Sequence, residues 1–146
     1  MKFEIKIDDS CNEPKVIILT AEITEDVNAL IRKLSEDSPA VISGFKGGKL
    51  EILDPTDLIR VYANAGKVFA AANKGEYVLR LRLYEAEERL DKETFVRISN
   101  SEIVNLKKAK SFDLSFAGTI SIKMEDGSTS YVSRRYVSKI KKILGV

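Results

Sequence analysis

The chain of 146 residues contains no histidine, no tryptophan and a single cysteine, Cys11. Without histidine, neither a Ser-His-Asp nor a Cys-His catalytic arrangement can form, and a histidine-ligated zinc site is excluded. A single cysteine provides neither an intrachain disulfide nor a cysteine-rich metal site. The sequence therefore predicts a protein that is not an enzyme and that uses no metal and no cofactor.

Long apolar runs and phosphate-binding loops are also missing. No apolar run reaches the roughly 18 residues that a membrane-spanning helix needs, and the start, Met1-Lys2-Phe3-Glu4, has no apolar signal segment. Neither GxxxxGK[ST] nor GxGxxG occurs. The glycine-rich segment 44–49 lacks the P-loop spacing, and we interpret it as a flexible link. We expect a cytoplasmic protein with no membrane partner and no small-molecule substrate.

The net charge of +2 hides an uneven distribution along the chain. Residues 92–146 carry 11 basic and 5 acidic side chains, a net charge of +6, whereas residues 1–45 carry 5 basic and 9 acidic ones, a net charge of −4. A basic C-terminal third suits a surface that contacts nucleic acid. A solvated surface with uneven charge explains the same numbers, so charge alone leaves both interpretations open.

The first 45 residues have the pattern of a small mixed unit. Residues 2–7 alternate polar and apolar, which is typical of a half-buried strand, and residues 15–21 are β-branched enough for a second strand. Thr24 is a suitable helix N-cap, and the helix is predicted to end near Glu36. With a further strand at residues 40–45, this predicts a ββαβ unit that is too small to bury much core alone.

From residue 46 to 146 short apolar segments alternate with Gly, Asn, Asp or Pro turns, which indicates a compact antiparallel β domain. Helices are predicted at residues 83–90 and 134–144, the second capped by Ser133. The fold class is therefore mainly β, α+β overall. The predicted strands span residues 49–53, 58–63, 67–72, 77–81, 95–98, 103–106, 111–116, 119–124 and 129–132.

Two motifs in this domain carry the side chains expected where a protein meets DNA. Residues 95–105 place Arg, Ser and two Asn between apolar residues, and an Asp126-Gly127 turn is followed by Tyr131-Val132-Ser133-Arg134-Arg135-Tyr136. Arg, Ser and Asn are the residue types that contact phosphates and base edges. In their order and separation the two motifs resemble the LytTR DNA-binding domain family of bacterial transcription regulators.

The resemblance covers about residues 49–146 and implies a stack of small antiparallel sheets with short helices, which reads the DNA major groove with loop side chains. Asn100 resembles the base-contacting position of the central loop, Arg134 the Arg after the last strand, and Lys67 is the candidate in the first loop. An Asn amide suits adenine and an Arg guanidinium suits guanine. The candidate phosphate contacts are Arg97, Ser99, Ser101, Lys107, Lys108 and Arg135.

The resemblance also implies a sequence-specific transcriptional regulator that binds direct repeats in promoter DNA. Because 45 residues are too few for a receiver domain, a response regulator-like role without phosphorylation control is expected. The amphipathic helix of the N-terminal unit needs an apolar partner, which favours a homodimer formed through residues 1–45.

Other interpretations remain open from the residues alone. Asn100 and Ser101 could simply form a turn between two strands. Asn105 is interpreted as structural, at the end of a strand with its side chain bonded to backbone. The chain could also be a β-rich adaptor that binds a protein or ligand and no DNA. An RNA-binding protein is less favoured, because no aromatic cluster accompanies the basic loops.

Overall fold

The computed structural model describes residues 1–34, 41–115 and 118–146, and its contacts divide the chain into two units, Met1–Pro39 and Ala40–Val146. In the first unit, the helix α1 spans Glu25–Leu34. Its first turn is capped by Thr24, whose Oγ1 accepts a hydrogen bond from Val27 N at 3.4 Å. The predicted helix is confirmed over these residues, while its predicted end near Glu36 lies outside the described residues.

The two strands predicted before α1 are not formed, and that part of the predicted ββαβ unit is wrong. The alternating pattern of residues 2–7 requires a pairing strand and an apolar surface to cover one face. In the structure the apolar side chains of this segment are in solvent: Phe3 is 89% exposed and Ile7 is 97% exposed. Residues 15–21 likewise form no strand, and Leu19 is 93% exposed.

The second unit contains a seven-stranded antiparallel sheet with the strand order β2-β1-β5-β4-β3-β7-β6. A three-stranded antiparallel sheet, β10-β9-β8, follows it in the chain. The strands and helices of this unit are β1 Ile42–Lys46, β2 Lys49–Leu53, β3 Leu58–Asn64, β4 Lys67–Ala72, β5 Gly75–Leu79, α2 Leu83–Arg89, β6 Phe95–Ser99, β7 Glu102–Asn105, β8 Ala109–Asp113, β9 Ile120–Met124, β10 Thr129–Val132 and α3 Arg134–Leu144.

These elements confirm the mainly β prediction, and the predicted helix at residues 134–144 has the same bounds as α3. The end of the strand predicted at residues 111–116 lies outside the described residues. Among the described residues no helix has the length and apolarity to cross a membrane.

One strand belongs to a different unit from the one predicted. β1 was expected in the N-terminal unit, which the prediction ended at residue 45. Instead it pairs antiparallel with β2 and with β5, where Phe45 lies opposite Val78. Gly47 and Gly48 have φ of 57° and 79° and form the tight turn of the β1–β2 hairpin, since such two-residue turns need positive φ at both positions. The interpretation of this segment as a flexible link is therefore wrong.

The large sheet buries apolar side chains on both faces. On one face α2 packs over residues such as Val61, Ala70 and Leu79. On the other face, at β3, β6 and β7, the three-stranded sheet and α3 cover Val96, Ile98 and Val104. The β6–β7 hairpin thus lies between two cores, which holds its strands and the turn that joins them in a defined position.

Candidate nucleic-acid interface

The structure brings the β3–β4 turn and the β6–β7 turn to the same end of the large sheet. β3 pairs with β7, with Tyr62 opposite Glu102. One residue further along each strand, Ala63 N donates a hydrogen bond to Ser101 O at 2.8 Å. The turn that precedes Lys67 therefore lies beside the turn that carries Asn100.

The N-terminus of α3 lies at this end as well. Ser133 N donates a hydrogen bond to Ile98 O at 2.9 Å, which fixes the start of the helix against the last residues of β6. The Tyr136 hydroxyl donates to Asn100 Oδ1 at 3.5 Å, the outer limit of such a contact. Arg134, the first residue of α3, is exposed. Three predicted base-contacting side chains, from distant parts of the sequence, thus share one end of the fold.

Arg134 and Arg135 lie at a helix N-terminus, where the helix dipole disfavours cations. No side chain caps this end, because Ser133 makes no side-chain cap hydrogen bond. Arg135 is exposed, and its guanidinium carbon lies 5.8 Å from the centroid of the Tyr136 ring. The two cations and a helix N-terminus without a side-chain cap together form a surface that suits an external anion such as a phosphate.

The Asn100 turn is held by hydrogen bonds to its backbone. Arg97 Nε donates to Ser99 O at 2.7 Å, and Arg97 Nη2 donates to Asn100 O at 2.8 Å. Ser99 Oγ accepts a hydrogen bond from Ser101 N at 3.2 Å. The carbonyls of residues 99, 100 and 101 are all engaged, so the turn presents the Asn100 side chain from a fixed backbone.

The β3–β4 turn is tight and partly strained. Ala65 and Gly66 have φ of 50° and 78°, and Asn64 pairs with Lys67 across them. A two-residue hairpin turn of this type needs positive φ at both central positions. An alanine there costs about 1–2 kcal/mol relative to the right-handed region. The exposed Lys67 thus begins β4 from a turn of defined geometry.

Two of the predicted phosphate contacts lie elsewhere. Lys107 and Lys108 belong to a single-turn 3-10 helix, Leu106–Lys108, which follows β7. β7 begins next to the Asn100 turn and ends at Asn105, so both lysines lie at the opposite end of the hairpin. Lys108 Nζ is 4.0 Å from Glu125 Oε2. Ser99 and Ser101 flank Asn100 in its turn, and Arg135 lies next to Tyr136, which contacts Asn100. The two lysines lie apart from them.

Two residues that contact the site, Glu87 and Tyr136, were assigned no role from the sequence. Glu87 on α2 accepts a hydrogen bond from Arg97 Nη1 at 3.0 Å, and Tyr136 contacts Asn100. The contact between Glu87 and Arg97 joins a helix to a strand across a loop, and no spacing rule in the sequence predicts it. Tyr136 stood within the second motif, but the motif alone did not indicate its partner.

The turn that joins β9 to β10 confirms the predicted Asp126-Gly127 hairpin. Ser128 Oγ and Ser128 N donate to Asp126 Oδ1 at 2.6 and 2.9 Å. The hydrogen bond from the Ser128 side chain is the main cause that holds the pKa of Asp126 below its usual value. Within the described ranges, no group of Cys, Asp and Glu side chains is arranged to hold a metal ion.

Comparison with known proteins identifies a family for most of the second unit. The model of the LytTr DNA-binding domain matches residues 48–145. A solved LytTr DNA-binding domain of a Bacillus cereus protein, described as a methyl-accepting/DNA response regulator, aligns with a TM-score of 0.70 and 24% identity. The alignment covers 75% of this chain and 100% of that domain, and at this identity it shows the fold alone.

Relatives of similar length are known from Staphylococcus aureus. Two of them, from the strains NCTC 8325 / PS 47 and COL, are described as uncharacterized HTH-type transcriptional regulators. Each is 29% identical over 147 residues, which cover 100% of this chain and 99% of the relative. The similarity thus extends through the N-terminal unit as well as the β domain.

Proposed function

Because the chain belongs to the LytTr DNA-binding domain family, we propose that it is a transcriptional regulator that binds double-stranded DNA and reads its sequence through loop side chains. The observation that carries this proposal is the position of Asn100, Arg134 and the Lys67 turn at one end of the large sheet. Because these side chains are adjacent in the fold, they can contact the bases and phosphates of one DNA groove together.

In this proposal Asn100 and Arg134 enter the major groove. The Asn100 amide pairs with adenine N6 and N7 or donates to guanine, and the Arg134 guanidinium donates to guanine O6 and N7. Lys67 contacts a base from the neighbouring turn. Ser99, Ser101 and Arg135 donate to phosphates, which fixes the register of the protein on the duplex without reading sequence.

Lys107 and Lys108 remain candidate phosphate contacts only on a separate stretch of the DNA backbone. Their place at the far end of the β6–β7 hairpin separates them from Asn100 by the length of β7. Strands rise by about 3.3 Å per residue. The four residues of β7 therefore place the two lysines more than one base-pair step from Asn100. Their contribution is therefore expected to be electrostatic and insensitive to sequence.

The salt dependence of binding tests the proposal. Three cations near the site, Lys67, Arg134 and Arg135, are expected to neutralise phosphates or lie close to them. The logarithm of the association constant for a mixed-sequence duplex of 30 base pairs should then fall with the logarithm of salt concentration with a slope of about −3 or steeper. Fluorescence anisotropy across a salt series measures this slope. No measurable affinity at low salt would overturn the proposal.

Binding to direct repeats and the homodimer belong to the same proposal. In the first unit, apolar side chains are in solvent along residues 2–7 and 15–19, and Ile31 and Leu34 on α1 are 40% and 48% exposed. The unit is acidic, so DNA repels it and a second protein surface is the better partner. A second copy of the chain offers the same apolar surface, so the first unit would join two copies and give one assembly two recognition ends.

Removal of residues 1–39 tests the role of the first unit. The full chain is expected to sediment as a dimer at micromolar concentration, and residues 40–146 as a folded monomer. The truncated chain should still bind a single repeat, but with lower affinity for a pair of repeats. Analytical ultracentrifugation and circular dichroism measure both properties. An unchanged association state after truncation would show that the first unit does not dimerise the chain.

An adaptor that binds another protein is the second candidate. The observation that favours it is on β2, an edge strand, where Leu50 and Ile52 are 59% and 79% exposed. Such an adaptor would show no salt-dependent affinity for DNA, so the salt series separates the two functions. In either function the protein is proposed to act without catalysis, and a DNA regulator would act in the cytoplasm.

A further inference from the structure

One guanidinium links the Asn100 turn to the helix α2. Arg97 uses its three nitrogens on three different acceptors: Ser99 O at 2.7 Å, Asn100 O at 2.8 Å and Glu87 Oε2 at 3.0 Å. The Arg97 side chain is only 17% exposed, and that of Glu87 is 42% exposed. Each nitrogen therefore has an acceptor within the protein, and the guanidinium has little surface left for an external phosphate.

We propose that Arg97 and Glu87 are positioning residues, which hold the backbone of the Asn100 turn in the geometry that base reading requires. This inference rests on the proposed function and differs from the prediction that Arg97 contacts a phosphate. Glu87 fixes the plane of the guanidinium from the helix side, and the guanidinium binds two successive carbonyls from the other side. The planar fork of arginine fits this arrangement, and a lysine ammonium does not.

A neighbouring strand also holds the backbone of the Asn100 turn. Ala63 N binds the third carbonyl, that of Ser101, at 2.8 Å. If the Arg97 contacts are lost, the two carbonyls of residues 99 and 100 are released to solvent, and the side chain of Asn100 becomes free to move relative to Arg134. A displacement of about 1 Å is enough to lose a bidentate contact with a base, because hydrogen bonds weaken steeply with geometry.

Glu87→Gln separates this role from a phosphate contact by the sign of its effect. Removal of a carboxylate beside DNA normally strengthens binding, because it removes repulsion from phosphates. If Glu87 positions the turn, this substitution weakens binding to the specific site instead, because a neutral amide oxygen is a weaker acceptor than a carboxylate for Arg97 Nη1. The matched control is Glu88→Gln, which removes the same charge. Glu88 is the exposed neighbour of Glu87 on α2.

The experiment compares two duplexes of 30 base pairs, one recovered by in vitro selection with the wild-type full chain and one scrambled. For Glu87→Gln, we expect the ratio of specific to non-specific affinity to fall about tenfold. Glu88→Gln should keep that ratio. Arg97→Lys, which keeps the positive charge, should lose discrimination about as much as Glu87→Gln while its salt slope stays that of the wild type.

Unchanged discrimination in these variants would contradict the positioning role of Arg97 and Glu87. If Glu87→Gln binds the selected duplex as tightly as Glu88→Gln does, and Arg97→Lys keeps full discrimination, then neither residue positions the turn. Thermal unfolding of each variant tests whether its fold is intact.

Hydrogen exchange of the Ala63 amide keeps the inference separate from the proposed function. If the wild-type chain binds no DNA, the proposed function fails, but the positioning role is still measurable in the free protein. Exchange at Ala63 should be at least severalfold faster in Glu87→Gln than in Glu88→Gln, because a loosened turn exposes the Ser101 carbonyl that this amide binds. Equal exchange rates in the two variants would overturn the positioning role.

Discussion

Asn100→Ala and Arg134→Ala are each expected to lower the discrimination between a specific and a scrambled duplex by about 1–3 kcal/mol, which is roughly fivefold to 150-fold in affinity ratio. Each substitution removes a side chain proposed to make two hydrogen bonds to one base, while the backbone that carries it remains. Binding to scrambled DNA should change little in Asn100→Ala, because asparagine carries no charge. Fluorescence anisotropy with both duplexes at one salt concentration gives the ratio directly.

Two controls sharpen this prediction. Asn73→Ala removes an exposed asparagine from the β4–β5 turn, at the other end of the sheet, and should leave both affinities unchanged. Arg134→Lys keeps the charge and loses the fork, so it should retain the salt slope and still lose discrimination. Equal losses on specific and scrambled DNA in Asn100→Ala would contradict base reading by that residue.

Asn105→Ala is expected to lower the free energy of unfolding by about 2–4 kcal/mol. Asn105 is 1% exposed, and its Nδ2 donates to Leu58 O at 2.8 Å while its Oδ1 accepts from Lys107 N at 2.9 Å. Truncation leaves the Leu58 carbonyl without this donor in the core, removes the cap of the 3-10 helix and opens a small cavity. For a domain of this size the melting temperature should fall by about 10 °C or more.

The matched control is Asn100→Ala, in the same sequence motif. Asn100 is exposed and its only side-chain contact in the described structure is the long one to Tyr136, so its removal should change stability by less than about 0.5 kcal/mol. Urea denaturation of both variants gives the comparison. If Asn105→Ala were as stable as the wild type, the buried hydrogen bonds of Asn105 would not support the β6–β7 hairpin as the structure indicates.

Asn100 and Asn105 show which side-chain roles can be predicted from the sequence and which cannot. Both lie in one short motif, and the sequence alone assigned Asn105 to the backbone and Asn100 to a base contact from the resemblance. The structure gives the physical basis for the first assignment, in the two hydrogen bonds of Asn105. For Asn100 it gives exposure, a fixed backbone and nearness to Arg134, while the base contact itself stays a prediction.

The β domain was predictable because its signals are local. Alternating segments and Gly, Asn or Asp turns specify strands such as β4 and β10, and the cap and spacing of α3 specify its bounds. The predictions that were wrong concern which strands pair with one another. β1 was recognised as a strand but assigned to the wrong unit, and residues 2–7 have the pattern of a strand without a partner in the described structure.

The role of Arg97 shows the same limit within the site. A basic side chain in a DNA-binding motif indicates a phosphate contact. No pattern in the sequence indicates that Glu87 accepts a hydrogen bond from the Arg97 guanidinium instead. Only the fold places α2 beside the β6–β7 turn, so that the guanidinium is taken up by a carboxylate and two carbonyls. Long-range pairing of this kind is decided by packing and is not encoded in the spacing of either residue.

In vitro selection from a randomised duplex library is the measurement that tests the central claim most directly. The wild-type full chain should enrich a defined motif, with guanine and adenine positions within one major-groove face, and Asn100→Ala should lose the preference at one of those positions while Arg134→Ala loses it at another. If the wild-type chain retains DNA but enriches no sequence, or retains none at all, then this end of the sheet does not read bases, and the account of its function is wrong.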